Sequence, residues 1–236
     1  MALQQSVDWD QMGRRWEAAP SEEVLAWATR TFGDGVALAC SFGAEDMVLV
    51  HMLARVAPGA RVFYLDTHLL FSETYDLAHR AAERYPLQFE RIEPELTLAQ
   101  QEAEHGPALW ERQPDQCCFI RKVQPLQGVL AGLSAWITGI RRDQTPERAN
   151  APVVGWDDRF GLAKVNPLAR WTWDDVWQYI REHDVPHNPL HHQGYPSIGC
   201  LPCTAPVDPG ADPRSGRWQG HGKRECGLHG AGGSAQ

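Results

Sequence analysis

Residues 36–46 read Val36-Ala37-Leu38-Ala39-Cys40-Ser41-Phe42-Gly43-Ala44-Glu45-Asp46. A short apolar run follows Gly33-Asp34-Gly35 and ends in a small polar turn, and Met47 to Val56 then takes up helical periodicity. A buried strand feeding a helix through such a turn is the opening unit of a parallel α/β sheet. The rhythm repeats downstream. Arg61 to Leu65 reads as a strand ending at Asp66-Thr67, Ser72 to Tyr85 as a helix with Ser72 as its cap, and Leu87 to Ile92 as a third strand. Segments 97–104 and 116–131 read as helices, Ser134 to Ile140 as a strand ending in Arg141-Arg142, and Trp173 to His183 as a helix capped by Thr172. Residues 1–32 read as amphipathic helix. Alternating strand and helix predicts a mostly parallel, twisted sheet covered on both faces, with ligand at the carboxyl ends of the strands. Those ends are Ser41 to Asp46, Asp66-Thr67 and Arg141-Arg142.

The bulk composition narrows the function. The chain has 236 residues, 43 % of them hydrophobic, and 30 acidic against 22 basic residues give a net charge of −8. That balance argues against a general nucleic-acid surface. Local basic clusters at Arg121-Lys122, Arg141-Arg142 and Arg214 to Arg224 suit a small anionic ligand. The N-terminus lacks a signal-peptide pattern and no stretch is long and apolar enough for a membrane span, so a cytoplasmic setting is expected. The division expected is one domain over 1–203 and a mobile arm over 204–236, where Gly, Pro, Arg and Asp replace apolar periodicity.

The six cysteines carry the most chemistry. Cys117-Cys118 and Cys200-Leu201-Pro202-Cys203 form two tight pairs. In a reducing compartment, paired thiols read as metal ligands or redox groups rather than disulfides. A single zinc ion requires four converging sulfurs, which adjacent cysteines supply only with strain. A [4Fe–4S] cubane offers each thiolate its own iron. Both readings, and a redox role, stay open on the residues alone. Lys122 follows Cys118 by one helical turn, where it could offset cluster charge and reach an anion. Cys40 ends an apolar strand and reads as packing. Cys226 stands alone in Lys223-Arg224-Glu225-Cys226-Gly227-Leu228-His229, where cationic neighbours favour its thiolate.

Together these motifs resemble the iron–sulfur adenylyl-sulfate (APS) reductases of assimilatory sulfate reduction, within the PAPS/APS reductase family. The resemblance runs from about residue 20 to 230. It rests on the four-cysteine set, Glu-Cys-Gly-Leu-His at 225–229, Ser-Phe-Gly-Ala-Glu-Asp at 41–46, Leu-Asp-Thr at 65–67 and Gly-Ile-Arg-Arg-Asp-Gln at 139–144. It implies an adenine-nucleotide α-hydrolase-like fold with one [4Fe–4S] cluster on Cys117, Cys118, Cys200 and Cys203. It implies Cys226 as the nucleophile that takes an S-sulfonate from APS, and thioredoxin or glutaredoxin as reductant. Substrate contacts are expected from Ser41, Phe42, Gly43, Leu65, Asp66, Lys122, Arg141, Arg142, Arg214 and Arg217. ATP-cleaving relatives of the fold carry Ser-Gly-Gly-x-Asp-Ser at this turn. Phe42 and Met47 depart from that pattern, and the bulk of Phe42 is expected to keep a pyrophosphate away. A PAPS reductase or dual-specificity enzyme, an ATP pyrophosphatase-type sulfur-transfer enzyme and a zinc-bound interaction module are the competing readings. No nucleic acid or membrane partner is expected, and a homo-oligomer is left open.

Overall fold

The structure, a computed structural model, describes residues 7–223 and 225–228. Its centre is a six-stranded sheet formed by β1 (Val36–Ala39), β2 (Arg61–Leu65), β3 (Gln88–Ile92), β4 (Ala135–Ile137), β5 (Val154–Asp157) and β6 (Leu162–Val165). The spatial order is β3-β2-β1-β4-β6-β5. Every pairing is parallel except β5 with β6. The chain therefore moves one way from β1 to β3, then returns to the other side of β1 with β4. That reversal leaves a crevice beyond the carboxyl ends of β1 and β4, the position where open α/β sheets bind ligands.

Strand alternation divides the core. Val36 and Leu38 point into the larger cluster, under α2 (Ser21–Phe32), α3 (Ala44–Val56), α4 (Ser72–Arg84) and α9 (Trp173–Glu182), the α1 helix (Trp9–Trp16) packing at its margin. Ala37 faces the other way, with Phe63, Leu126, Leu130, Trp136 and Leu162. Period-two alternation with both faces buried explains why these strands read as continuous apolar runs. On α3, Met47, Val48, Leu49 and Val50 are all fully buried, so this helix is core on every side.

Several expected boundaries shift for local reasons. The single N-terminal helix is two, because Pro20 precedes α2 and cannot continue a helix behind it. Ser72 is the first helical residue rather than the cap, which falls at Phe71 without a side-chain bond. Thr172 does cap α9, through a reciprocal capping box with Asp175. The β5–β6 hairpin was not expected. Its strands are four residues each, and Gly161 takes the positive φ of 71° that the turn between them requires. The helical stretch 116–131 is composite. It starts as α7 (Pro114–Cys118), passes through a π-helical turn over Phe119–Val123, and resumes as α8 (Gln124–Leu130).

Candidate active site

A cavity of about 250 Å³ opens at the predicted crevice. Its floor is the end of β1 with Cys40, Ser41 and Gly43, the end of β2 with Tyr64 and Leu65, and the end of β4 with Gly139, Ile140 and Arg141. Lys122 enters from the π-helical turn, and Arg148 from the loop after β4. The arm after Cys203 closes the roof with Arg214, Arg217, Trp218, Glu225, Cys226 and Leu228.

Over its described residues the arm lies against the body. Thr204 bridges to Arg217, and the Ala205 amide donates to the Gly216 carbonyl at 2.8 Å. Trp218 is 3 % exposed and sits under three cations, with Arg217 4.5 Å, Lys223 5.4 Å and Arg214 6.0 Å from its ring centroid. One buried aromatic thus supplies the packing that the arm's composition otherwise lacks. Leu228 joins the smaller core cluster beside Leu65, Trp136 and Phe160. Arg224 and His229 lie outside the described residues.

The four paired cysteines meet around a second, smaller cavity, lined also by Leu69, Trp110, Pro114, Arg121, Lys122 and Trp218. All six cysteines are free thiols. Burial and then the neighbouring sulfurs push the Cys117 thiol up to about 12, and the same two causes put Cys203 at about 11. Thiols so placed ionise only with a cation among them. Four sulfurs around one small cavity are a donor set that a thiolate-bound metal centre could use. A separate set, Asp66, His68 and Glu93, has its ligand atoms all within 4.8 Å of one another.

Lys122 stands between the two cavities and lines both. Burial opposes its ammonium, but Cys200, Cys226 and Cys118 around it together hold its pKa above the ordinary lysine value. Its neighbour Arg121 is 1 % exposed and committed elsewhere, donating to the Thr67 carbonyl at 2.7 Å and to Gln101 Oε1 at 2.9 Å. The pair at the end of β4 divides in the same way. Arg141 faces the cavity and donates to Glu45 Oε1 at 3.0 Å. Arg142 turns outward to a two-pronged pair with Glu17, at 2.6 and 2.9 Å. Consecutive residues leave a helix or a strand end in different directions, so each basic pair gives the cavity one cation.

The phosphoadenosine phosphosulfate reductase domain matches residues 35–206. The chain belongs to that family. An adenosine 5'-phosphosulfate reductase of Staphylococcus haemolyticus is 53 % identical over 208 residues, 88 % of this chain and 86 % of that protein. A phosphoadenosine 5'-phosphosulfate reductase of Gloeobacter violaceus is 52 % identical over 223 residues, 93 % of this chain and 92 % of that protein. The solved phosphoadenylyl-sulfate reductase of Candida auris, a phosphate complex, superposes with a TM-score of 0.73 at 31 % identity, over 83 % of this chain and 95 % of that one. An FMN adenylyltransferase of Candida glabrata, at 14 % identity and TM-score 0.58, covers 81 % of this chain and 64 % of its own, and shares the fold. The expected adenine-nucleotide α-hydrolase-like sheet is therefore present.

Within this reductase-family cavity, Ser41, Phe42, Gly43, Leu65, Lys122, Arg141, Arg214, Arg217 and Cys226 come together. Asp66 and Arg142 do not. Asp66 is fully buried beside the cavity, where it accepts from the Tyr75 hydroxyl at 2.7 Å, the His68 amide at 2.7 Å and Arg91 Nε at 2.6 Å. It braces the loop after β2. Ser41 has both its amide and its hydroxyl donated to Asp46 Oδ2, at 2.6 Å each. Phe42 has a φ of 60° and is 2 % exposed, its ring against Tyr64 and Phe89. The ring packs into the core at the edge of the cavity. Glu45, Gln144 and Glu225, which the motifs contain without assigning them a role, also stand on the cavity wall, as do Arg148, Trp173, His191 and Ser197, which no motif contains. Arg148 had a signal in retrospect, as a basic residue in the loop that follows Arg141-Arg142.

Proposed function

We propose that this chain is a sulfur-group oxidoreductase that reduces adenylyl sulfate to sulfite and AMP in sulfate assimilation and cysteine biosynthesis. The observation that carries the reading is one cavity, at the switch point of a nucleotide-binding sheet, that holds Cys226 among Lys122, Arg141, Arg148, Arg214 and Arg217. The Nε groups of Arg148 and Arg217 are buried there without an acceptor among the described residues. A buried donor without a partner costs about 1–3 kcal/mol, which an anionic ligand would recover.

In this reading the Cys226 thiolate attacks the sulfate sulfur. The S–O bond to the phosphate breaks, and AMP leaves with its electron pair. The sulfonate stays on Cys226. A thiolate of thioredoxin or glutaredoxin then attacks Cys226 Sγ, sulfite departs with the S–S electron pair, and the reductant's second thiol resolves the mixed disulfide. The cations offset the repulsion between an anionic nucleophile and a dianionic substrate. A desolvated cation contact of this kind is commonly worth a hundredfold or more in rate. Cys117, Cys118, Cys200 and Cys203 would hold one [4Fe–4S] cluster. When bound, it supplies a fixed anionic body beside Lys122, orienting that ammonium toward the cavity. In the division proposed, residues 1–203 form the body and 204–236 the arm, which closes for sulfonation and opens for the reductant. Such thiol chemistry suits a reducing, cytoplasmic setting.

The test offers APS and PAPS separately to iron-loaded protein with reduced thioredoxin and measures sulfite. Sulfite from APS is expected, and none from either substrate would refute the reading. The Gloeobacter violaceus relative keeps a second reading in play, a PAPS or dual-specificity reductase, and sulfite from PAPS would establish it. A Cys226→Ser protein should bind AMP yet release none from APS.

A further inference from the structure

Glu225 immediately precedes the nucleophile, and its surroundings are unlike those of the other tethers on the arm. Its Oε2 accepts from Arg148 Nη2 at 2.8 Å and from Arg214 Nη2 at 3.4 Å. The three side chains are 14 %, 10 % and 19 % exposed. The flanking tethers are wetter. Lys223 pairs with Asp115, whose side chain is 88 % exposed, and Arg159, on the surface, donates to the Gly227 carbonyl. Exposed pairs contribute little, whereas breaking a largely buried pair leaves a desolvated charge behind.

The contact extends beyond the arm. Arg148 Nη1 donates to Gln144 Oε1 at 2.6 Å, Gln144 Nε2 donates to Glu45 Oε1 at 2.8 Å, and Glu45 Oε1 also accepts from Arg141 Nε. A continuous polar chain thus joins the residue beside Cys226 to the first turn of α3 and the loop after β4. The other oxygen of Glu225, Oε1, is buried with no hydrogen-bond partner among the described residues. The carboxylate therefore occupies two of the guanidiniums that an incoming anion needs, without having its own acceptors fully met. It is held firmly enough to fix Cys226 and incompletely enough to be displaced.

We propose that Glu225 is a positioning residue: gripped by Arg148 and Arg214, it holds Cys226 in the cavity of the empty enzyme and yields those arginines to the substrate's anion. This rests on Cys226 being the nucleophile of the proposed reaction. The carboxylate acts as an internal stand-in for the substrate anion, so closure of the arm and readiness of the site depend on one contact. Substrate entry and repositioning of the thiol are then coupled through competition for Arg148 and Arg214.

The test needs no sulfite to be formed. In iron-loaded protein without nucleotide, alkylation of Cys226 by iodoacetamide is followed by peptide mass. Glu225→Gln should alkylate about tenfold faster, because a neutral amide cannot hold two guanidiniums. Glu225→Asp should fall between. Arg148→Gln should give the same acceleration, and the double variant no more than either single one. AMP should bind Glu225→Gln several-fold more tightly than wild type, since the arginines no longer serve an internal anion. A purely structural role for Glu225 would leave AMP affinity unchanged or weaken it. Wild-type alkylation in Glu225→Gln, additive effects in the double variant, or unchanged or weaker AMP binding would each overturn the proposal. If AMP failed to bind the wild-type protein, the nucleotide reading would fall, while the alkylation rates would still decide the role of Glu225.

Discussion

Replacing Trp218 with alanine tests whether the docked arm is the catalytic conformation. Trp218 is 3 % exposed, lines both the substrate cavity and the cysteine cavity, and carries Arg217, Lys223 and Arg214 around its ring. Truncating a buried tryptophan costs about 3–5 kcal/mol. The three cation–π contacts, about 0.5–1 kcal/mol each, lie within the arm itself, so their loss loosens the arm without adding to the docking loss. Trp218 and Leu228 are the arm's main apolar anchors beside the polar tethers at Lys223, Glu225 and Gly227, so much of the loss falls on the docking equilibrium. At 1.4 kcal/mol per tenfold, docking should weaken by roughly a hundredfold to several thousandfold. The assay is single-turnover release of AMP from APS without reductant, which reads only the step needing Cys226 in the cavity. AMP release should slow by at least about a hundredfold, in line with that shift. Trypsin should cut the arm faster, and AMP affinity should change by less than the sulfonation rate. Trp218→Phe keeps much of the buried area and the aromatic face, and should stay within about tenfold of wild type. A Trp218→Ala protein that forms the S-sulfonate at the wild-type rate would show that the docked arm is not the reactive one.

The two arginines at the end of β4 should behave oppositely. Arg141→Ala, which removes a cavity cation, should weaken AMP binding about tenfold or more, while Arg142→Ala breaks a half-exposed pair with Glu17 and should cost no more than about 1 kcal/mol of stability with unchanged sulfite formation. Burial raises the Asp46 carboxyl to about 6, even against its hydrogen bonds from Ser41. Between its unfolded value near 3.9 and about 6 the native state binds the extra proton, so the stability it contributes is fully present below about pH 4 and lost as pH rises through about 6, by up to roughly 3 kcal/mol. Urea midpoints at pH 4.5 and pH 7.5 should therefore differ less in Asp46→Asn than in wild type, and an identical pH dependence would argue against a strained carboxylate there. Cys200→Ser should lose iron on metal analysis and with it sulfite formation, and full activity without iron would remove the cluster from the proposal.

Much of this architecture was readable because it rests on periodicity and punctuation. The apolar runs at Val36–Ala39 and Arg61–Leu65, each ending in a polar turn, led to the parallel sheet and to the crevice at its carboxyl edge. The cysteine spacing led to a single centre, because the loop at Cys200–Cys203 and the helix at Cys117-Cys118 have few chemical reasons to be so paired. Direction was harder to read than position. Nothing in Arg141-Arg142 or Arg121-Lys122 says which member faces the ligand, since that depends on the exit angle of a strand and on a π-helical turn. Asp66 was drawn to the site by its place at a strand end, but Tyr75 and Arg91 had already claimed it from elements distant in sequence. The docked arm escaped notice because one tryptophan among glycines and prolines carries no periodic signal, and its burial depends on cations from the same segment.

The π-helical turn at Phe119–Val123 has a consequence for how this segment can change in length. A π turn is a helix with one residue too many, and each residue of an α-helix advances the side chains by about 100°. Deleting one residue between Cys118 and Gln124 would restore a regular helix with α7 and α8 near their present orientation, yet the side chains of the turn itself would be re-aimed. Arg121 would leave the Thr67 carbonyl, and the residue in place of Lys122 would no longer lie between the two cavities. Substitutions here can be absorbed side chain by side chain, whereas a change of register cannot. Among variants of this chain that still work, the count of residues from Cys118 to α8 should be held more strictly than their identities, Lys122 excepted.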